Sequence, residues 1–279
     1  MARSNTKQQS TELAKQNTDL ASGVEALPDF MKDTQFSGQG FENVNAKDLI
    51  IPRAKILQGT SPEVAEGQTN PNTNRAYKLG DIVSSIDGSV LADGEQKIEF
   101  IAVGYNKAWV EWAEKQGDGI IGSSMDPNSE LANRCRAGEK NSKGKPAITE
   151  YHQFLVFFPN ADDPNWVNKP HILGFARTNY KHGRKLLTIM RQRSFVGDKM
   201  LPIFASTYYL WTEIEKNKDG QPYRVFQTTI GNWVADKAIF KQLNDIHVLY
   251  KTQEIKPHYE DDSVTEKEYE ESDGNDRDM

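Results

Sequence analysis

KPHILGFARTNYKHGRKLLTIMRQRSFVGDK, residues Lys169 to Lys199, contains a change of hydrophobic period that decides how the chain folds. His171 to Arg177, HILGFAR, is a short apolar run that follows a stronger one, TEYHQFLVFF from Thr149, which Pro159 ends. Two such runs joined by NADDPNWVNK predict an antiparallel pair with a long hairpin connection. From Lys181 the apolar residues Leu186, Leu187 and Met190 fall at helical spacing. Thr178 or Asn179 offers a cap, so a helix is expected to about Arg193.

The same stretch holds eight Lys or Arg (169, 177, 181, 184, 185, 191, 193, 199) against the single carboxylate of Asp198, a net of +7, with Phe175, Tyr180 and Phe195 interleaved. Phosphates take the charge of such a segment and bases take its aromatic faces, so the pattern fits a groove for a polyanion with stackable rings. A solvated basic helix face produces the same run of charge. With Leu186, Leu187 and Met190 turned to the core, Lys181, Arg184, Lys185 and Arg191 are left for the other side.

Upstream, DLIIPRAKILQ from Asp48 to Gln58 is dense in Leu and Ile with Pro52 near its start, which favours an edge strand or extended segment. Gly59 to Arg75 is turn chemistry throughout and is expected to be a long loop with few ways to pack. IVSSIDGSV, Ile82 to Val90, carries the hairpin dipeptide Asp87-Gly88, and Ala92-Asp93-Gly94 offers another turn. KIEFIAVGY, Lys97 to Tyr105, reads as a strand, and AWVEWA beyond it places Trp109 and Trp112 three apart as core residues or base platforms. Gln116 to Lys145, with Arg134, Arg136, Lys140, Lys143 and Lys145, is expected to be a mobile basic excursion. Downstream, Pro202 to Glu215 and Pro222 to Thr229 form a hairpin about Lys218-Asp219-Gly220, and Ile239, Leu243 and Ile246 mark a helix over Ala235 to Tyr250.

The 279 residues are enough for a sizeable core without disulfides or structural metal. A single cysteine, Cys135, fits a reducing cytoplasm. The start MARSNTKQQS has no apolar signal region, and the longest apolar run, Phe154 to Phe158, is far short of the roughly 20 residues a membrane span requires. The formal net charge of −6 is unevenly placed: residues 259–279 carry −8, which leaves the rest at +2. These shifts divide the chain into a disordered polar arm (1–40) with one short sticky piece, ALPDFM, a folded domain (41–258) and a disordered acidic tail (259–279).

No phosphate-binding loop, dinucleotide turn, nucleophile elbow, HExxH or CxxC is present, and the five histidines lack metal-ligand spacing. The chain is therefore read as non-catalytic, with no cofactor and no metal. Glu150 with Asp162 and Asp163 leaves a metal-dependent nuclease open, since hard cations take carboxylate oxygens. A structural or host-interaction protein that docks another protein on the basic helix is the further alternative.

The binding reading uses more of the sequence at once. Arg177, Lys181, Arg184, Lys185, Arg191 and Arg193 are the expected phosphate contacts; Tyr180, Trp109, Trp112 and Phe175 are the expected stacking residues. Six phosphate contacts imply a slope of log affinity on log salt of about −4. Strand-rich body, inserted helix, long hairpin and the acidic extension YEDDSVTEKEYEESDGNDRDM together resemble the single-stranded DNA-binding proteins of tailed bacteriophages. That resemblance implies a β-rich α+β fold built on an OB-like antiparallel barrel with inserted and C-terminal helices, and a role in phage DNA replication or recombination in the host cytoplasm. It also implies a tail, here Glu266, Glu268, Tyr269, Glu270, Glu271 and Asp273, that docks replication or recombination proteins and competes internally for the groove. Such tails often finish on an aromatic residue, whereas the last one here is Tyr269 and the chain closes Arg277-Asp278-Met279. Self-association is left open.

Overall fold

The computed structural model describes residues 50–113, 119–163, 165–217 and 220–252. The expected arm and acidic tail lie outside them, as does the start of the folded domain near Phe41. Of two compact units, the described residues fall in Ala46–Met279; the other is Met1–Asn45.

Among the described residues eleven strands and four helices follow in order: β1 (Arg53–Ile56), α1 (Pro62–Ala65), β2 (Ile82–Ser84), β3 (Val90–Ala92), β4 (Ile98–Trp112), β5 (Ile120–Ser124), α2 (Glu130–Arg136), β6 (Ile148–Phe157), β7 (His171–Ala176), α3 (Tyr180–Ser194), β8 (Phe195–Val196), β9 (Lys199–Met200), β10 (Ser206–Lys216), β11 (Pro222–Trp233) and α4 (Lys237–Thr252). The fold is a β-rich, OB-like α+β arrangement in which one sheet curls into a half-barrel. Its strand order is β11-β10-β4-β6-β7-β1-β2-β3, with β5 paired to β4, and β8 and β9 form a separate ribbon.

β4 and β6 are buried on both faces, which is why FIAV and FLVFF are continuous apolar runs instead of alternating ones. Successive side chains point to opposite faces. Phe154 and Val156 accordingly join Phe100, Phe175, Tyr208 and Phe226 beneath Leu186 and Met190 of α3. Leu155 and Phe157 join Ile101 and Val103 beneath Leu243 and Tyr250 of α4. The two helices thus cover opposite faces. Tyr250 lies so close to Gly104 that a Cβ there would stand 2.3 Å from its ring.

The curl carries the β10–β11 hairpin against the β1–β3 end. Gln58, just past β1, donates from Nε2 to the Arg224 carbonyl (2.9 Å) and accepts at Oε1 from the Arg224 amide (3.0 Å). Thr212 on β10 donates from its amide to Gly94 (2.8 Å) and from its hydroxyl to Gly80 (3.1 Å).

Several expectations are corrected. The segment expected to supply an edge strand lies inside the sheet, antiparallel to β2 and parallel to β7. Pro52 precedes the strand and costs it no donor, and its carbonyl accepts from Ile172 (2.8 Å). Residues 59–75 are largely exposed, as expected of a long loop, but they include α1 and are anchored at buried Ser61 and Asn70: Asn70 donates to Gly88 (3.0 Å) while accepting from Asn72 (2.8 Å). The excursion after Gln116 forms β5 and α2 within 119–145, held by Arg134 between Glu111 (2.6 Å) and Glu139 (2.5 Å). The strand expected from Pro202 starts at Ser206, after a 3-10 turn over Ile203–Ala205.

Candidate nucleic-acid interface

α3 begins after a 3-10 turn, Arg177–Asn179, in which Arg177 adopts a positive φ of 47°. Asn179 stands at the cap position but gives α3 no side-chain cap; its Oδ1 accepts from the Phe226 amide (2.8 Å) and so ties the helix start to β11. Leu186 and Met190 seat the helix on the core. Gly183 lets it approach closely, since a Cβ there would lie 2.7 Å from Phe175 Cβ and 3.0 Å from His152 Cβ.

The outward face of α3 carries Lys181, Arg184, Lys185, Thr188, Arg191 and Gln192, all exposed. Lys181 is held by Glu215 of β10 (2.6 Å), which also accepts from Tyr223 (3.1 Å) and stands 3.1 Å from His182. Among the described residues, Arg184, Lys185 and Arg191 have no carboxylate within ion-pair distance. Arg193 is turned away: its guanidinium lies 3.6 Å from the centre of the Trp233 ring, with Nε 3.4 Å from Ser206 Oγ.

Two expected stacking residues cannot meet a base. Trp109 is 2% exposed and packs with Ala132 and Ile148; Phe175 is fully buried, edge-on to Phe154 and Phe226. Strand parity explains both, because each points into a core. Trp112 is half-buried against Ala108, Val110 and Tyr151. Tyr180 is half-buried and donates to Glu150 (2.8 Å), with its ring centre 4.4 Å from that of His152.

The exposed rings lie elsewhere. Directly after α3 the β8–β9 ribbon leaves Phe195 53%, Val196 50% and Met200 64% exposed, and Trp233 at the end of β11 is 42% exposed. Sequence reasoning passed over Met200 and Trp233; it named Phe195 among the aromatics of the basic stretch but not among the expected stacking residues. The available signal was FVGDKM, an apolar pair and a Met about a Gly-Asp turn, too short to bury its own side chains.

The match with known proteins covers this whole region. Residues 16–256 match the family described as Pam3 phage gp34-like protein. The chain belongs to that phage family. The matched span includes α3, the ribbon and β11 but ends before the acidic tail at 259–279. No match is found among curated proteins or among solved structures.

Beneath α3 this gp34-like chain holds a polar network. Glu150 of β6 accepts from Lys107 of β4 and from Tyr180, and His152 Nδ1 shares a 2.8 Å hydrogen bond with Tyr105. Burial, reinforced by Lys107, pushes the His152 imidazole down to about 4. Burial alone would raise Glu150, but the hydrogen bonds from Lys107 and Tyr180 outweigh it and hold the carboxyl below its usual range. Asp163 is occupied by Lys169 (2.6 Å) in the β6–β7 connection, away from the Glu150 network. Of the three carboxylates of the nuclease alternative, Glu150 and Asp163 are therefore engaged separately, and among the described residues no group of three or more His, Cys, Asp or Glu is arranged to hold a metal. His152 pairs with Phe175 and His171 with Val156, which sets the two histidines four positions apart along the ladder. Cys135 is half-buried, and burial raises its thiol above the usual range. Among the described residues no helix is long and apolar enough to cross a membrane.

Proposed function

We propose that this chain binds single-stranded DNA, without catalysis, along the outward face of α3, and that it serves phage DNA replication or recombination in the host cytoplasm. The observation that carries this reading is the trio Arg184, Lys185 and Arg191, exposed and without carboxylate partners on a helix whose opposite side is fixed to the core. A rigid row of unneutralised cations gains most from a phosphate backbone, because nothing within the protein has to be displaced and counterions are released from the nucleic acid. Lys181 and Arg193 are engaged within the protein and Arg177 is half-buried in the turn before the helix, so about three of the six phosphates are neutralised and the slope of log affinity on log salt is about −2 instead of −4. The tail at −8 is the internal competitor for that face, and its carboxylates, with Tyr269, dock replication proteins once a strand displaces it.

Reversing two of the three charges tests the reading. Arg184→Glu with Lys185→Glu abolishes binding of labelled oligo-dT at low salt while the circular-dichroism melt stays where it was, since both side chains are in solvent. Full affinity in the folded double variant overturns the site. Recovery of intact oligonucleotide after incubation with magnesium distinguishes a binder from a nuclease.

A further inference from the structure

We propose that Phe195, Met200 and Trp233 form a stacking site for unpaired nucleobases, and that this site makes the α3 surface selective for single strands over duplex; the inference rests on the reading of α3 as a phosphate-binding face. Three observations lead to it.

Phe195 leaves α3 at the end of its cationic face. Arg184, Thr188 and Arg191 follow one another by four and three residues on one side of the helix, and Phe195 comes four residues later. A backbone that ran from Arg184 past Arg191 would reach Phe195 after roughly 16 Å. Across the ribbon Phe195 pairs directly with Met200, and Val196 pairs with Lys199. Phe195 and Met200 therefore share one face of the ribbon.

Both are more than half exposed, and nothing among the described residues covers them. An exposed Phe and Met at the tip of a two-residue ribbon gain nothing for the fold, since the core is closed by Leu186 and Met190 beneath.

The third observation concerns charge. Arg193 covers one face of the Trp233 ring, and the ring keeps considerable exposure. Arg191, Arg193 and Lys199 flank Phe195 and Met200 in the chain, against Asp198 alone, and Arg193 lies on Trp233. Apolar faces flanked by cations match a base flanked by phosphates. A base in a duplex has its faces covered by its neighbours, so only an unpaired base can add this contact to the phosphate term.

The experiment compares oligo-dT with a duplex of equal length, over a salt series, for the wild-type chain and for Phe195→Ala with Met200→Ala. Trp233→Leu serves as a second variant, and thermal melts establish that each is folded. Expected is a loss of roughly 5- to 150-fold in affinity for oligo-dT per stacked base, no loss for duplex and an unchanged salt slope. If the wild type binds oligo-dT and the folded variants bind it equally well, the stacking site is wrong and the α3 face stands. Equal losses on single strand and duplex also overturn it, as does a changed oligomeric state in size-exclusion chromatography with oligo-dT affinity unaltered, which would make the ribbon a contact between copies. If the wild type binds no oligo-dT even at low salt, the α3 reading fails and this inference with it.

Discussion

His152 is neutral in the folded chain until the pH falls to about 4, because burial and Lys107 both oppose its protonation. In the unfolded chain it takes up a proton near its ordinary 6.5. The unfolded state thus binds more protons between these values, and the contribution of His152 to stability is complete above pH 6.5 and is lost as the pH falls toward 4. Burial depresses His171 and His182 in the same direction. The unfolding free energy from urea titrations is expected to fall steadily from pH 7 to pH 4.5, by at most about 1.4 kcal/mol per pH unit for each histidine. His152→Gln should flatten part of that slope, and an unchanged pH profile in this variant would remove His152 as its source. The residue scale is also where sequence reading of the site failed. Residue type identified Arg184, Lys185 and Arg191 correctly as exposed cations. It could not tell that Trp109 and Phe175 point inward while Phe195 and Trp233 do not, because orientation depends on which strand face each core covers.

Gln58 acts at the scale of elements. Its single side chain satisfies both backbone groups of Arg224, in a buried position 166 residues away in sequence, and so joins β1 to β11 where the curl brings them together. Gln58→Ala leaves an amide and a carbonyl without partners, at a cost on the order of 3 kcal/mol. Gln58→Glu keeps the acceptor and loses the donor, so its chemical-denaturation midpoint should fall between those of wild type and the alanine variant. Equal midpoints for all three would show that the closure is held by Thr212 alone. The local elements were legible in the sequence: the β6–β7 pair, the Asp87-Gly88 hairpin between β2 and β3, the hairpin now seen as β10–β11 and both long helices follow from period and turn residues. Sheet position was not. Pro52 suggested an edge, yet a proline one residue before a strand places no restriction on that strand's neighbours. Likewise the composition of 119–145 resembles a loose loop, and its order comes from long-range partners, the pairing of β5 with β4, Ala132 against Trp109 and Arg134 with Glu111.

The whole molecule separates charge into a body of +2 and a tail of −8. If the tail competes for α3, truncation after Pro257 should raise affinity for oligo-dT at low salt. The gain should fade as screening shortens toward 10 Å near 0.1 M salt. Unchanged affinity at low salt would leave the tail no competitive role.

The bonds that Gln58 and Asn179 make to β11 also bear on the order in which the protein is made. α3 is translated well before Pro222, but the Asn179 anchor needs the Phe226 amide and the Gln58 closure needs Arg224. Contacts this distant in sequence form late and slow the folding of sheet proteins. A nascent chain that stops short of Pro222 would therefore display every cation of α3 on a helix not yet fastened at its start. If α3 is the proposed phosphate-binding face, competence to hold a nucleic acid is expected to arrive with the final hairpin, long after the cations of α3 have left the ribosome.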